Sequence, residues 1–288
     1  MSAVRPTILG SAALVLEVSR PKFWLYLAGT YLVGCAAGSA RPADLVTLRF
    51  WVCLGYFLIP ANVLLYGVND LADGTADRIN PRKRGSEHVL EVYEERVVLR
   101  AVLAALFLAL PVLAVLSGHV EQALLGGFIA LAILYSVPPV RLKAAPVLDA
   151  ASNVLYALPL FLGFHQFAGE LPNTEVIAIS FLWTAAMHIF SAALDIDTDR
   201  RSGLRTTASA LGYRGSLLVC AALWIAVFVL VAGYRILHPW GLAAICYPLI
   251  PLLLMVRPAA AGLQAYRLFP ALNAIAGMAA FFVAVLRT

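Results

Sequence analysis

Charge is what this sequence has least of: only 13% of its 288 residues are Asp, Glu, Lys or Arg, about half the share usual in soluble domains. No polar stretch is long enough to form a soluble domain between the apolar runs. That excludes a soluble enzyme held by one greasy anchor. Cysteine is also scarce. Cys35, Cys53, Cys220 and Cys246 all fall inside apolar runs without metal-ligand spacing, so they read as small packing hydrophobes. No Gly-rich loop stands between a strand and a helix, which excludes a dinucleotide cofactor site. The basic residues are dispersed over short loops, and nucleic acid is therefore not an expected partner.

What remains is apolar: 62% of the chain is hydrophobic. Runs long enough to cross a bilayer cover 23–40, 47–68, 97–116, 120–138, 146–166, 175–194, 214–233, 239–256 and 268–286. They predict an all-α, polytopic membrane bundle of about nine transmembrane helices. One integral domain over 1–288 is expected, with 1–22 as an N-terminal cytoplasmic segment. Of the 21 Lys and Arg residues, all but Arg41, Arg49, Arg235 and Arg287 fall on one side of this topology. By the positive-inside rule that side faces the cytoplasm. The net charge of +5 then reads as orientation, with some attraction to anionic lipid or diphosphate.

The few acids are not scattered. Six of 16 lie in two stretches, Asn69-Asp70-Leu71-Ala72-Asp73-Gly74-Thr75-Ala76-Asp77 and Asp195-Ile196-Asp197-Thr198-Asp199, each at the end of an expected span. Carboxylates there are costly, about 2.5–3.5 kcal/mol each at a helix centre, and need a compensating partner. Asn69, Asp73 and Asp77 are spaced i, i+4, i+8, which drifts only about 40° per step on a helix, so they share one face. Asp70 points away from that face. Asp195 and Asp199 repeat the i, i+4 spacing. Clusters of hard oxygen donors suit Mg²⁺, which keeps open positions for water and phosphate oxygens. The bland alternative is a pair of solvated helix ends whose acids balance Arg78, Arg82, Lys83 and Arg84. Two such faces on one side of the membrane favour a diphosphate bridged by metal ions.

Cations for a departing diphosphate are at hand in Arg78, Arg141, Lys143, Arg200 and Arg205, which could stabilise charge on the leaving oxygen. Each could equally serve only as a topology signal. Arg205 sits in a compact polar loop, Gly203-Leu204-Arg205-Thr206-Thr207. In Tyr135-Ser136-Val137-Pro138-Pro139-Val140-Arg141-Leu142-Lys143 the two prolines are expected to stop a helix and set an extended turn. Polar residues within the apolar spans are Asn62, Asp149, Asn153 and His188, functional candidates unless they only join helices by hydrogen bonds. Together with Tyr66 and Tyr135 they are candidates for lining an acceptor or cation cavity.

With these residues in hand, the chain resembles the UbiA superfamily of intramembrane prenyltransferases along nearly its whole length. The resemblance rests on Asn69-x-x-x-Asp73-x-x-x-Asp77, on Asp195-x-x-x-Asp199 followed by Gly203-x-Arg205, and on Tyr135-Ser136-x-Pro138-Pro139-x-Arg141-Leu142-Lys143. It implies a bundle with a central cavity, capped on the cytoplasmic side, that holds Mg²⁺ and an isoprenyl diphosphate. The metal-binding positions map onto Asn69, Asp73, Asp77, Asp195 and Asp199. A bacterial or archaeal cell membrane is the expected location. Tyr66-Gly67-Val68-Asn69-Asp70 through Asn80-Pro81-Arg82-Lys83, and His188-Ile189-Phe190-Ser191-Ala192, are most similar to the lycopene elongase branch, which makes C50 carotenoids. Ala193-Leu194 stands where that branch would show an Ile-Pro pair, and predicts a straighter helix.

The resemblance implies transfer of a dimethylallyl group from its diphosphate to lycopene or a related carotenoid, through an allylic cation. Asp73, Asp77, Asp195 and Asp199 are then the catalytic acids, and Asp149 is a candidate acceptor for the final proton. The partners are an isoprenyl diphosphate, a lipophilic acceptor and membrane lipid. A second reading is prenylation of an aromatic, quinone-precursor, haem or chlorophyll-type acceptor. A third, of another class, is a cation transporter using the acids as an ion path.

Overall fold

The computed structural model describes residues 8–77, 89–233, 240–257 and 260–286, and it is helical throughout. Helix α1 (Ile8–Val18) lies in the expected N-terminal segment and α2 (Trp24–Gly38) in the first expected span. Thr47 caps α3 (Leu48–Leu58) by accepting from Phe50 N at 3.3 Å, which satisfies one of the orphan donors of a helix start. Pro60 then opens α4 (Pro60–Asp77). Proline lacks the N–H that would continue the ladder, and the fully buried Asn62 donates instead to Phe57 O (2.9 Å) and Leu58 O (3.0 Å). The two helices run on as one long apolar rod with a braced kink.

Next come α5 (Glu95–Phe107), α6 (Ala109–Val115) and α7 (His119–Leu134). The span expected at 146–166 is broken into α8 (Leu148–Ala151), a 3-10 turn (Ser152–Tyr156) and α9 (Leu158–Ala168). Asn173 caps α10 (Thr174–Ala193), accepting from Val176 N at 3.0 Å. The short α11 (Ile196–Arg201) precedes α12 (Thr207–Gly233), whose ladder is interrupted at Gly212, with φ 70°. Helices α13 (Cys246–Leu254) and α14 (Ala260–Val285) complete the chain. Each expected span is occupied by helix, but the described residues form more than nine helices, because kinks divide several spans and α1 and α11 lie outside them. Among the described residues, five helices are long and apolar enough to cross a membrane: Leu48–Gly74, Glu95–Val115, Thr174–Ala193, Thr207–Gly233 and Ala261–Val285.

Aromatic residues fill two cores. Tyr31, Phe57 and Phe128 centre the first, built from the N-terminal helices through α9, while Phe190, Trp224 and Phe269 centre the second. Large apolar residues also face outward, including Leu103, Phe107, Val229, Ile275 and Phe282, an arrangement that suits lipid as the surrounding solvent. Cys35, Cys53 and Cys220 are buried as expected, but Cys246 is exposed.

Helix α2 packs against both α9 and α14, so the first expected span sits beside the last. Small residues permit the approach to α9. A Cβ built on Gly34 would lie 2.1 Å from Leu160 O, and one on Gly38 would lie 2.4 Å from Phe164 O. On the α14 side, Asn273 Nδ2 donates to Tyr26 Oη (3.1 Å) and Asn273 Oδ1 accepts from Tyr247 Oη (2.8 Å). Gly34→Ala is therefore expected to destabilise the protein by about 3 kcal/mol through overpacking, read as a lower thermal midpoint in detergent. Gly55→Ala, where the added methyl meets nothing within 4 Å, should instead gain up to about 1 kcal/mol. Equal midpoints for the two variants would refute the close helix contact.

Candidate active site

The first acid face forms because α4 stays helical through its polar end. Asn69 and Asp73 lie one turn apart on it. The carboxylate of Asp73 is buried and accepts from Lys143 Nζ and, at 3.1 Å, from Arg141 Nη2. Lys143 Nζ also donates to Ser136 Oγ at 3.0 Å. One turn back, Asn69 Oδ1 is buried without a hydrogen-bond partner. Asp70 points elsewhere, as its position predicts, and forms a buried ion pair with Arg20 at 2.7 Å. Asp77 ends α4, but its side chain, and the whole of Arg78, lie outside the described residues.

The loop that delivers the cations is not extended, contrary to the proline-based expectation. It turns back on itself through Arg141 N to Val137 O (3.0 Å) and Lys143 N to Tyr135 O (3.1 Å). Arg141 adopts a left-handed φ of 42°. The fold-back brings a lysine 70 positions away in sequence onto Asp73.

The second cluster is built on a break. The straight helix expected from Ala193-Leu194 does not form: α10 ends at Ala193 and Asp195 takes the N-cap position of α11, with φ −110° and ψ 5°. Asp195 and Asp199 are half-buried, and Asp197 is exposed. Gly203, with φ 72°, closes α11 in a Schellman turn: Leu204 N donates to Asp199 O (2.8 Å) and Gly203 N to Arg200 O (3.2 Å). That turn carries Thr206 back over the helix, where its Oγ1 donates to Asp199 Oδ2 at 3.1 Å. Arg200 and Arg205 are exposed and line a cleft of about 340 Å³ with Gly203, Leu204, Ser209 and Ala210. Arg200 Nη2 donates to Ser209 O at 2.9 Å.

Between the clusters lies Asp149, fully buried. Its carboxylate accepts from Thr207 Oγ1, Thr207 N (2.7 Å) and Ala150 N (2.9 Å), and Nε2 of His188 stands 3.4 Å from Oδ2. The Tyr135 ring meets the His188 imidazole edge-on, with centroids 6.0 Å apart. Tyr135 is also within electrostatic reach of Asp73, Asp149 and Asp199, and Lys143 Nζ is 5.9 Å from its ring centre. Tyr135 and His188 thus join the site.

The other cavity candidates are engaged elsewhere. Asn62 braces the Pro60 kink. Asn153 Nδ2 donates to Asp149 O at 2.6 Å. Tyr66 carries the Arg20 guanidinium on its ring at 4.6 Å, and its hydroxyl meets that of Tyr156 at 3.3 Å. Sequence reasoning missed Arg20, Thr206 and Thr207. The two threonines follow a helix-stopping Gly and precede an apolar run, the place for a cap, and that signal was readable. Arg20 carries no local signal.

Oxygen donors suited to a hard cation are present at both clusters, and the orphaned Asn69 Oδ1 beside Asp73 is the position such an ion would satisfy. Among the described residues, which exclude the Asp77 side chain, no three His, Cys, Asp or Glu side chains converge into one metal group.

The profile of the UbiA prenyltransferase family matches residues 27–285. The chain belongs to this family. Its relatives include a lycopene elongase/hydratase of Haloferax volcanii, 40% identical over 94% of this chain and 88% of that one. A lycopene elongase/hydratase of Halobacterium salinarum is 38% identical over 91% and 93%. Among solved structures, a UbiA homolog from Archaeoglobus fulgidus bound to GPP and Mg²⁺ superposes with a TM-score of 0.69 at 22% identity, covering 93% of this chain and 99% of that one. A UbiA homolog from that organism bound to DMAPP and Mg²⁺ gives 0.66 at 23% identity, with the same coverage. The UbiA fold and the apolar helices make this an integral membrane protein.

The Arg20–Asp70 pair predicts a test of its own. Arg20→Met removes the guanidinium that stands 2.7 Å from the buried Asp70 carboxylate and should destabilise the protein by about 3 kcal/mol. Arg20→Met with Asp70→Leu should recover much of that loss, as seen in thermal unfolding in detergent. A single variant with an unchanged midpoint would show that the pair is dispensable.

Proposed function

We propose that this UbiA-family protein transfers a dimethylallyl group from its diphosphate to lycopene or a closely related carotenoid, with both acid clusters on the cytoplasmic side. The observation that carries the reading is the convergence of Lys143 and Arg141 on Asp73. It sets cations for a diphosphate against an acid that would hold its metal. Mg²⁺ would be held by Asn69, Asp73 and Asp77 and by Asp195 and Asp199. When bound, it would neutralise the diphosphate so that the allylic C–O bond can ionise.

The protein's own contributions follow from its side chains. Lys143 and Arg141 stabilise charge on the leaving oxygens. Thr206 fixes the Asp199 carboxylate, and Arg200 and Arg205 attract the anion from the cytoplasmic side. Arg78, next to Asp77, takes the same role. Apolar walls exclude water from the first cation. No activated nucleophile is required, because the acceptor's terminal double bond attacks.

A hydrocarbon acceptor is favoured over a polar ring because Asn62 and Asn153 spend their amide donors on backbone carbonyls, leaving few groups to recognise ring oxygens. The relatives' names point the same way. An ion path is disfavoured because the two acid clusters sit at the ends of α4 and α10 beside basic loops.

In cells accumulating lycopene, expression of the chain should yield pigments heavier by one or two C5 units. Asp73→Ala or Asp199→Ala should lower that yield at least about 10³-fold, a loss on the scale of removing a main electrostatic group, while the protein still inserts. Chelating Mg²⁺ in a membrane assay should do the same. Unchanged lycopene with inserted wild-type protein would exclude this acceptor. Full activity in Asp73→Ala would exclude the metal assignment.

A further inference from the structure

The sequence offers Asp149 as a candidate acceptor for the final proton, but its surroundings leave the carboxylate little opening for that. The residue is fully buried, Oδ1 accepts from Thr207 Oγ1 and Ala150 N, and Oδ2 accepts from Thr207 N. A carboxylate so held has no free path to a hydrocarbon. What it does have is an imidazole: His188 Nε2 lies 3.4 Å from Oδ2, and the His188 side chain keeps 13% of its surface open against 0% for Asp149.

From this geometry we infer that His188 is the catalytic base of the last step and that Asp149 is its positioning residue. The inference rests on the transferase reading given above. His188 Nε2 is buried, makes no hydrogen bond in this structure and has the Asp149 carboxylate 3.4 Å away, so a proton on Nε2 faces that charge and the Nδ1 lone pair is left as the basic site. Thr207 and Ala150 hold the carboxylate, the carboxylate stands at ion-pair distance from the imidazole, and the Tyr135 ring meets it edge-on with centroids 6.0 Å apart. Tyr135 also neighbours Lys143, which is bonded to Asp73. The base therefore stands beside the place where the diphosphate departs.

The step balances without any further reagent. The π electrons of the acceptor's terminal double bond form the new C–C bond to the dimethylallyl cation and leave a tertiary cation. A neighbouring C–H bond gives its electron pair to a new C=C bond, and its proton passes to Nδ1 of His188. The imidazolium is stabilised by Asp149 until the proton leaves with diphosphate. If water captures the cation instead, the oxygen supplies the pair and Nδ1 takes the water's proton. One base accounts for either product, and its fixed position selects which C–H bond is broken.

The test uses the full-length protein in lipid nanodiscs with Mg²⁺, lycopene and dimethylallyl diphosphate. Products are quantified and their double-bond isomers are resolved. His188→Ala is expected to lower product formation about 10²-fold or more, to scramble the isomer ratio, and to be partly restored by added imidazole. Asp149→Asn should shift the isomer ratio without responding to imidazole. A folded His188→Ala protein with the wild-type rate and isomer ratio overturns the proposal. So does a loss with an unchanged ratio and no response to imidazole, which assigns His188 to packing. If His188→Ala does not fold, the isomer ratio of His188→Gln decides in the same way. Wild-type protein that leaves lycopene unchanged overturns the acceptor reading, and this proposal with it. Wild-type activity together with an unaltered His188 variant overturns the base alone.

Discussion

A carboxylate placed near a bilayer must be given a partner, and much of this structure answers that demand. The desolvation cost of an isolated charge is several kcal/mol, more than one apolar contact returns. Asp73 is matched by Lys143 and Arg141, Asp70 by Arg20, Asp149 by Thr207 and His188, and Asp199 by Thr206. Each partner stands on a loop or helix other than the one that carries its acid. Satisfying the acids therefore fixes how those elements sit, and the fold and the chemistry draw on the same contacts.

Breaks in the helices supply the remaining freedom. The Pro60 kink, the interrupted stretch from Leu148 to Ala168, the end of α10 at Ala193 and the left-handed Gly212 all turn the chain where polar groups are needed. At three of them side chains take over backbone groups. Asn62 does this for the kink, Asn153 for Asp149 O, and Ser216 Oγ for Gly212 O at 2.8 Å. Irregular backbone in such a protein is tolerated where it is buried or lines a cavity.

The helical membrane class and the helical character of the expected spans were legible because long apolar runs act over whole segments. That Asn69 and Asp73 stand one turn apart was legible because i, i+4 spacing is local and α4 does remain helical through Asp77; the second cluster instead straddles a helix break at Asp195. Partners were not. Nothing near Asp70 names Arg20, and nothing near Asp149 names Thr207; those pairings depend on how distant segments fold together. The extended turn at Pro138-Pro139 failed because hydrogen bonds to Tyr135 O and Val137 O outweighed the local preference of proline. The straight helix at Ala193-Leu194 failed although neither residue breaks helices. Asp195 leaves the helical region there and stands at the start of α11 without a side-chain cap bond, so no local residue signal marks the break.

The meeting of α2 with α14 has a consequence for how the molecule is made. Within this chain Tyr26 precedes its partner Asn273 by 247 positions. Until α14 has emerged, α2 lacks that neighbour. Lys143, by contrast, follows Asp73 by only 70 positions, so the acid gains its cation early. Translation thus neutralises the costly charge well before the contact between α2 and α14 can form.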